Sequence, residues 1–118
     1  MSQPVVSIHP YFKVHPGKLE AARALIPKFL AKTASEEKCR YYEFTSNGDV
    51  VFCREGYADA DGVLAHLANV GEVLGEMLEL SDLLRLEIHG PATEIEKLKV
   101  PLAGHKPDWF IYEAGLSK

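Results

Sequence analysis

The chain has 118 residues, 47% hydrophobic and 25% charged, with a formal net charge of -4. That describes one globular domain, large enough for its own core. Two classes are excluded: a basic nucleic-acid surface, because lysine and arginine do not cluster, and a membrane span, because no apolar run approaches the ~20 residues a bilayer crossing requires.

The start, Met-Ser-Gln-Pro-Val-Val, lacks a basic region followed by an apolar core, so no secretory signal is expected. Two cysteines, Cys39 and Cys53, are too few for a disulfide scaffold. They read as reduced thiols of a cytoplasmic protein. No CxxC, HExxH or GxxxxGK[ST] motif occurs, so neither a metal nor a nucleotide site is expected.

Val5 to Val14 alternates, with Val6, Ile8, Phe12 and Val14 on one face and Ser7, His9, Tyr11 and Lys13 on the other, which predicts a strand. Pro10 has no N–H to donate, so that strand lies at an edge or is bulged there. Pro16 suits the first turn of a helix. Leu19, Ala22, Ile26, Phe29, Leu30 and Thr33 then recur at helical spacing, and Pro27 predicts a kink or a break. Residues 39–46 and 49–57 are strand-like and flank Asn47-Gly48, a strong hairpin signal. With those two as the loop, Phe44 faces Val51, Tyr42 faces Cys53 and Arg40 faces Glu55. Arg40, Tyr42, Phe44, Val51, Cys53, Glu55 and Tyr57 then share one face. A longer loop would slip that register.

Ala60, Val63, Leu64 and Leu67 predict a helix from Asp59, interrupted over 69–71 and continued by Val70, Val73, Leu74, Met77 and Leu78. Met77 reads as core filler. Leu84, Leu86 and Ile88 alternate with Arg85, Glu87 and His89 as a fourth strand, ended by Gly90-Pro91. Thr93-Glu-Ile-Glu96 predicts a capping box for a short helix with Ile95, Leu98 and Leu102 inward. Residues 109–112, Trp-Phe-Ile-Tyr, read as a last short strand, apolar on both faces.

The order predicts an α+β domain over 1–118: a ferredoxin-like βαββαβ core (4–91) with an antiparallel sheet, plus a C-terminal short helix and strand. Two helices cover one sheet face and leave the other to be covered. The expectation is a homodimer whose sheets pack face to face and whose segments 92–118 exchange. The alternative is a monomer whose tail folds back on its own sheet edge.

The densest chemistry lies between Cys53 and His66. A strand ends in Glu55 and Tyr57, and the next helix carries His66 beside its apolar face. Histidine titrates near neutral pH and can pass a proton there.

These residues resemble the antibiotic biosynthesis monooxygenase (ABM) family of dimeric α+β barrels over nearly the first ninety residues. His15-Pro16-Gly17 closes the first strand. Glu36-Glu37-Lys38-Cys39-Arg40-Tyr41-Tyr42-Glu43 matches the Glu-rich turn before a Cys/Tyr strand. Glu55, Tyr57 and His66 match the Glu-x-Trp/Tyr motif, with eight residues between the aromatic and the His. The tail from His89 looks like that of a longer subgroup.

The resemblance implies a small quinol or polyphenolic aromatic oxidised by O2 without metal or other cofactor. That chemistry needs a base near the phenol, polar partners for the oxyanion and an apolar shell. His66 is then the catalytic base, and Tyr57, Tyr42, Arg40 and Glu55 bind substrate. Each has a plainer role open to it: His66 as a backbone cap or solvent-facing group, the tyrosines as sheet packing, and Arg40 with Glu55 as a cross-strand ion pair. His9 and His89 fall on polar strand faces, either lining the pocket or at a solvated edge, and His15 and His105 fall in loops. A haem-degrading branch shares the fold, but Tyr57 stands where it has Trp, and His9-Pro10-Tyr11 lacks its Asn. The alternative function is a non-catalytic, small-aromatic-binding or stress-related dimer.

Overall fold

The computed structural model describes residues 4–118; the reading of the N-terminal start falls partly on 1–3, outside the described residues. The elements are β1 (Val6–Val14), α1 (Leu19–Thr33), β2 (Cys39–Asn47), β3 (Val50–Tyr57), α2 (Ala60–Asn69), α3 (Gly71–Leu80), β4 (Ser81–Gly90), α4 (Ala92–Lys99), a 3-10 turn (Ala103–His105) and β5 (Asp108–Ile111). The sheet runs β2-β3-β1-β4-β5, antiparallel except for the parallel β4–β5 pair. Its first four strands form the expected ferredoxin-like order.

The alternation of β1 is realised: Val6, Ile8, Phe12 and Val14 are all buried. Neither alternative for Pro10 holds at that residue, which pairs in register with Leu86, and the irregularity lies one step on. β1 is central, and the β1–β4 register shifts between Tyr11 and Phe12. Pro10 pairs across to Leu86, and Leu84 is the residue passed over by the shift, 56% exposed. The expected grouping of Leu84 with Leu86 and Ile88 is therefore corrected, because Leu83 takes the inward position.

Helix α1 begins at Leu19 rather than at Pro16, and runs through Pro27 to Thr33 without interruption. Its buried stripe is Ala22, Leu25, Phe29 and Thr33, and Leu30 is 43% exposed. Asp59 caps α2 by accepting from the Gly62 N–H. No side-chain cap forms at α4, where Pro91 holds the N-cap position. The predicted Thr93 capping box is corrected, since Thr93 already lies inside the first turn. Ile95, Leu98 and Leu102 are inward as expected.

Gly48 and Asp49 form the hairpin loop, with Asn47 paired to Val50. Gly48 takes a φ of 59°, which favours a residue without Cβ at the first loop position. The register therefore slips two residues from the expected one: Phe44 faces Cys53 and Tyr42 faces Glu55. A slip of two preserves the facing, so Tyr42, Phe44, Val51, Cys53, Glu55 and Tyr57 remain on one side. Arg40 does not follow them. It lies at a shift between Cys39 and Tyr41, is exposed, and donates from a guanidinium nitrogen to the Glu37 carbonyl.

One core cluster joins Val6, Ile8, Tyr57, Val63, Ile88, Ile95 and Leu98. A second joins Phe12, Val14, Phe29, Val51, Val73 and Met77. Both lie between the helices and the same sheet face. The other face carries His9, Tyr11, Phe52, Arg54 and His89. Phe52 lies near both Tyr11 and His9, and His9 lies edge-on to His89, 4.8 Å between centroids. Among the described residues, β5 pairs along its own chain's β4, with Phe110 stacked on His89. Among the described residues no helix is long and apolar enough to cross a membrane.

Candidate functional site

Strand β3 and helix α2 converge where Asp59 starts the helix, two residues after the strand ends. Glu55 and Tyr57 alternate onto the inward face of β3. His66, two turns into α2, reaches back over them. His66 is 2% exposed and Glu55 5% exposed, so neither belongs to a solvated surface.

His66 lies between two carboxylates. Its Nδ1 is 2.9 and 3.1 Å from the two carboxylate oxygens of Glu36. Its Nε2 is 3.3 Å from Glu55 Oε1. Tyr57 donates its hydroxyl to that same oxygen at 2.6 Å. Asn69, at the end of α2, donates to Glu36 Oε2 and to the Lys32 carbonyl, both at 2.8 Å. Tyr42 and Tyr57 pack on the imidazole, each with its ring centroid 5.0 Å away.

Burial sets the protonation of this cluster. It pushes Glu55 above the usual carboxylate range, while the charge on His66 and the Tyr57 hydrogen bond pull the other way. Burial also drives Tyr42, Tyr57 and the Cys53 thiol far upward, with the charge of Glu55 adding to it. The tyrosines are therefore phenols and Cys53 a thiol, none of them a base at neutral pH.

Glu55 and His66 face a cavity with a void of about 70 Å³. Its other polar lining is Tyr42, Cys53 and His105, and the remainder is apolar, including Phe12, Phe29, Phe44, Leu74, Leu86 and Leu102. A few polar side chains thus line an otherwise apolar space, the usual form of a small-molecule site.

The structure brings four of the five expected site residues together: His66, Glu55, Tyr57 and Tyr42. It leaves out Arg40, and the proposed Arg40–Glu55 pair does not form, because Glu55 faces Tyr42 across the hairpin. Glu36 and Asn69 are the residues that sequence reasoning missed. Glu36 was noted only as part of an acidic turn, and its 30-residue separation from His66 left no local signal. His15 and His89 pair with exposed Asp82 and with Glu87, away from the site. His9 bonds Ser7 on the opposite sheet face. Among the described residues no group of three or more potential ligands is arranged to hold a metal ion.

No protein-family model and no curated protein matches the chain. Among solved structures, MupZ from Pseudomonas fluorescens is 41% identical, over 97% of this chain and 94% of its own, with a TM-score of 0.92. A conserved protein from Methanosarcina mazei Go1 is 18% identical over 75% of this chain and 93% of its own, with a TM-score of 0.69. A structure described as an antibiotic biosynthesis monooxygenase is 12% identical over 70% of this chain and 94% of its own, with a TM-score of 0.65. The last two share the fold, and the first also shares sequence over nearly the whole length.

Proposed function

The chain belongs to the family of MupZ and has the fold of the antibiotic biosynthesis monooxygenases, and from that premise we propose that it is an enzyme which moves a proton to or from a small, largely apolar substrate. One observation carries this reading: in the linked run Glu36–His66–Glu55–Tyr57, the buried His66 and Glu55 line an otherwise largely apolar cavity. A dry wall strengthens each electrostatic contact, and an acid–base pair there has a defined direction of transfer.

In its more specific form, the substrate is a quinol or polyphenol oxidised by O2 without a cofactor. His66 Nε2 takes the phenolic proton, Glu55 and Tyr57 steady the resulting charge, and Tyr42 packs against the ring. The purified protein then consumes oxygen with a hydroquinone or catechol, and His66→Ala lowers kcat by about 10²–10⁴-fold, the usual contribution of a general acid–base group. No uptake by the folded protein over a broad panel would sink this form.

A second reading is favoured by Glu55 itself. Burial pushes this carboxyl upward, which favours its protonated, proton-donating form. It would protonate an oxygen of the substrate, with His66 returning the proton, in a reaction needing no O2. Turnover retained under anaerobic conditions separates this form from the oxidative one. A binding module without chemistry would show ligand-induced thermal stabilisation and no turnover under either atmosphere.

The four helices of the described residues lie on one side of the sheet, which supports a homodimer formed through the opposite face; exchange of 92–118 would replace the β4–β5 pairing within one chain by the same pairing between two. Light scattering at micromolar concentration tests the dimer. Deleting the last strand tests the exchange.

A further inference from the structure

Two spaces, both lined in part by Tyr42, lie toward the two ring nitrogens of His66. On its Nε2 side is the apolar cavity containing Glu55. On its Nδ1 side Glu36 reaches an open cleft of about 280 Å³ between α1 and β2, lined by Thr33, Ala34, Glu36, Cys39, Arg40 and Tyr41 among others. The side chain of Glu36 is 12% exposed, against 2% for His66 and 7% for Glu55. Glu36 is therefore the member of the cluster nearest to water.

We propose that Glu36 carries protons between His66 and solvent through this cleft, so that the cavity exchanges protons without opening. The proposal rests on the acid–base reading above and adds the route by which that site exchanges protons with water.

The alternatives inside the cluster are poor carriers. Tyr42 and Cys53 hold their protons because burial disfavours their anions. Tyr57 already donates to Glu55. Glu36, by contrast, has both oxygens within 3.1 Å of Nδ1, and Asn69 fixes one of them. Beside it, the buried Thr33 hydroxyl has no hydrogen-bond partner among the described residues, so a polar atom lies at the base of the cleft.

The step balances without any electron transfer. A proton from substrate or from Glu55 forms a bond to Nε2. The Nδ1–H bond breaks, and its proton forms an O–H on Glu36. Glu36 releases that proton to water in the cleft, and the ring is left as the other neutral tautomer. Proton uptake follows the reverse order.

Glu36 touches His66 and not the cavity contents, so it is a positioning and relay residue. Its test has to read proton movement itself. With histidine ¹⁵N-labelled in the full chain, the exchange of the His66 Nδ1–H with water is measured by NMR, with no substrate present. Glu36→Gln keeps an oxygen to accept the hydrogen bond but cannot take the proton, and is expected to slow exchange at least tenfold. Ala34→Trp, at the exposed rim of the cleft, leaves Glu36 in place and is expected to slow exchange by obstructing the route.

Unchanged exchange in either folded variant overturns the proposal. If Glu36→Gln does not fold, Ala34→Trp decides alone. Because exchange is read without turnover, failure of this route and failure of the enzymatic reading are separate results.

Discussion

Tyr57→Phe isolates one hydrogen bond in the centre of the site. The ring stays, so no side-chain cavity opens, and what is lost is the hydroxyl donated to Glu55 Oε1 at 2.6 Å. Both residues are buried, at 0% and 5% exposure, so water does not replace the lost donor. Losing this buried donor, with His66 Nε2 still 3.3 Å from the oxygen, costs about 1–3 kcal/mol. For a chain of this size that is about 4–12 °C in Tm. The pH dependence carries the diagnostic sign. Burial already holds the folded Glu55 above its unfolded value, and the Tyr57 hydrogen bond pulls it back. Removing that bond raises Glu55 further. A group raised on folding stabilises most below its unfolded pKa, about 4.3, and that contribution is lost as pH rises through the folded value. The deficit of Tyr57→Phe therefore grows from acidic to alkaline pH. Urea unfolding of both proteins at pH 5.5 and 8.5 measures it. A deficit below ~0.5 kcal/mol at both pH values, or one that shrinks as pH rises, refutes the reasoning.

Glu55→Gln removes the titrating group but keeps its shape, so the decline of stability between about pH 4 and the raised folded value flattens in a pH series of Tm. The same variant abolishes turnover if Glu55 exchanges the proton. Leu98→Ala, at a fully buried position of the first core cluster, costs about 2–5 kcal/mol by denaturant titration. Arg40→Ala changes stability by less than ~0.5 kcal/mol and leaves ligand binding intact in a calorimetric titration, because Arg40 points away from the cavity.

The fold was legible because its elements follow clean periods. β1 alternates, α2 starts at an Asp with its apolar residues at helical spacing, and Asn47-Gly48 announces a hairpin. Errors arose where tertiary contacts decide. The shift beside Tyr11 depends on pairing with β4, distant in sequence, and the loop register on whether Asn47-Gly48 or Gly48-Asp49 takes the corner, a choice that the residue types alone leave open. The Thr93 box failed because Gly90-Pro91 sets the helix start two residues earlier than its spacing implies. At the site, Glu55, Tyr57 and His66 were readable because they lie within twelve residues on adjoining elements. Glu36 was not, since it reaches His66 from the end of α1 and no short-range pattern encodes that meeting. Arg40 was misplaced by a single irregularity in β2, which breaks the alternation that would have carried it inward.

The central position of β1 also bears on how the chain folds. Its residues pair with β3 on one side and β4 on the other, so Ser7 meets both Gly56 and His89. During synthesis the apolar side chains of this strand therefore emerge long before either partner. The β2–β3 hairpin closes locally and early, whereas the β1–β4 ladder has to wait for residue 90 to leave the ribosome. Such distant closure slows folding and leaves a hydrophobic strand open to other chains in the interval. The nascent N-terminal segment is the part of this protein with most need of a chaperone.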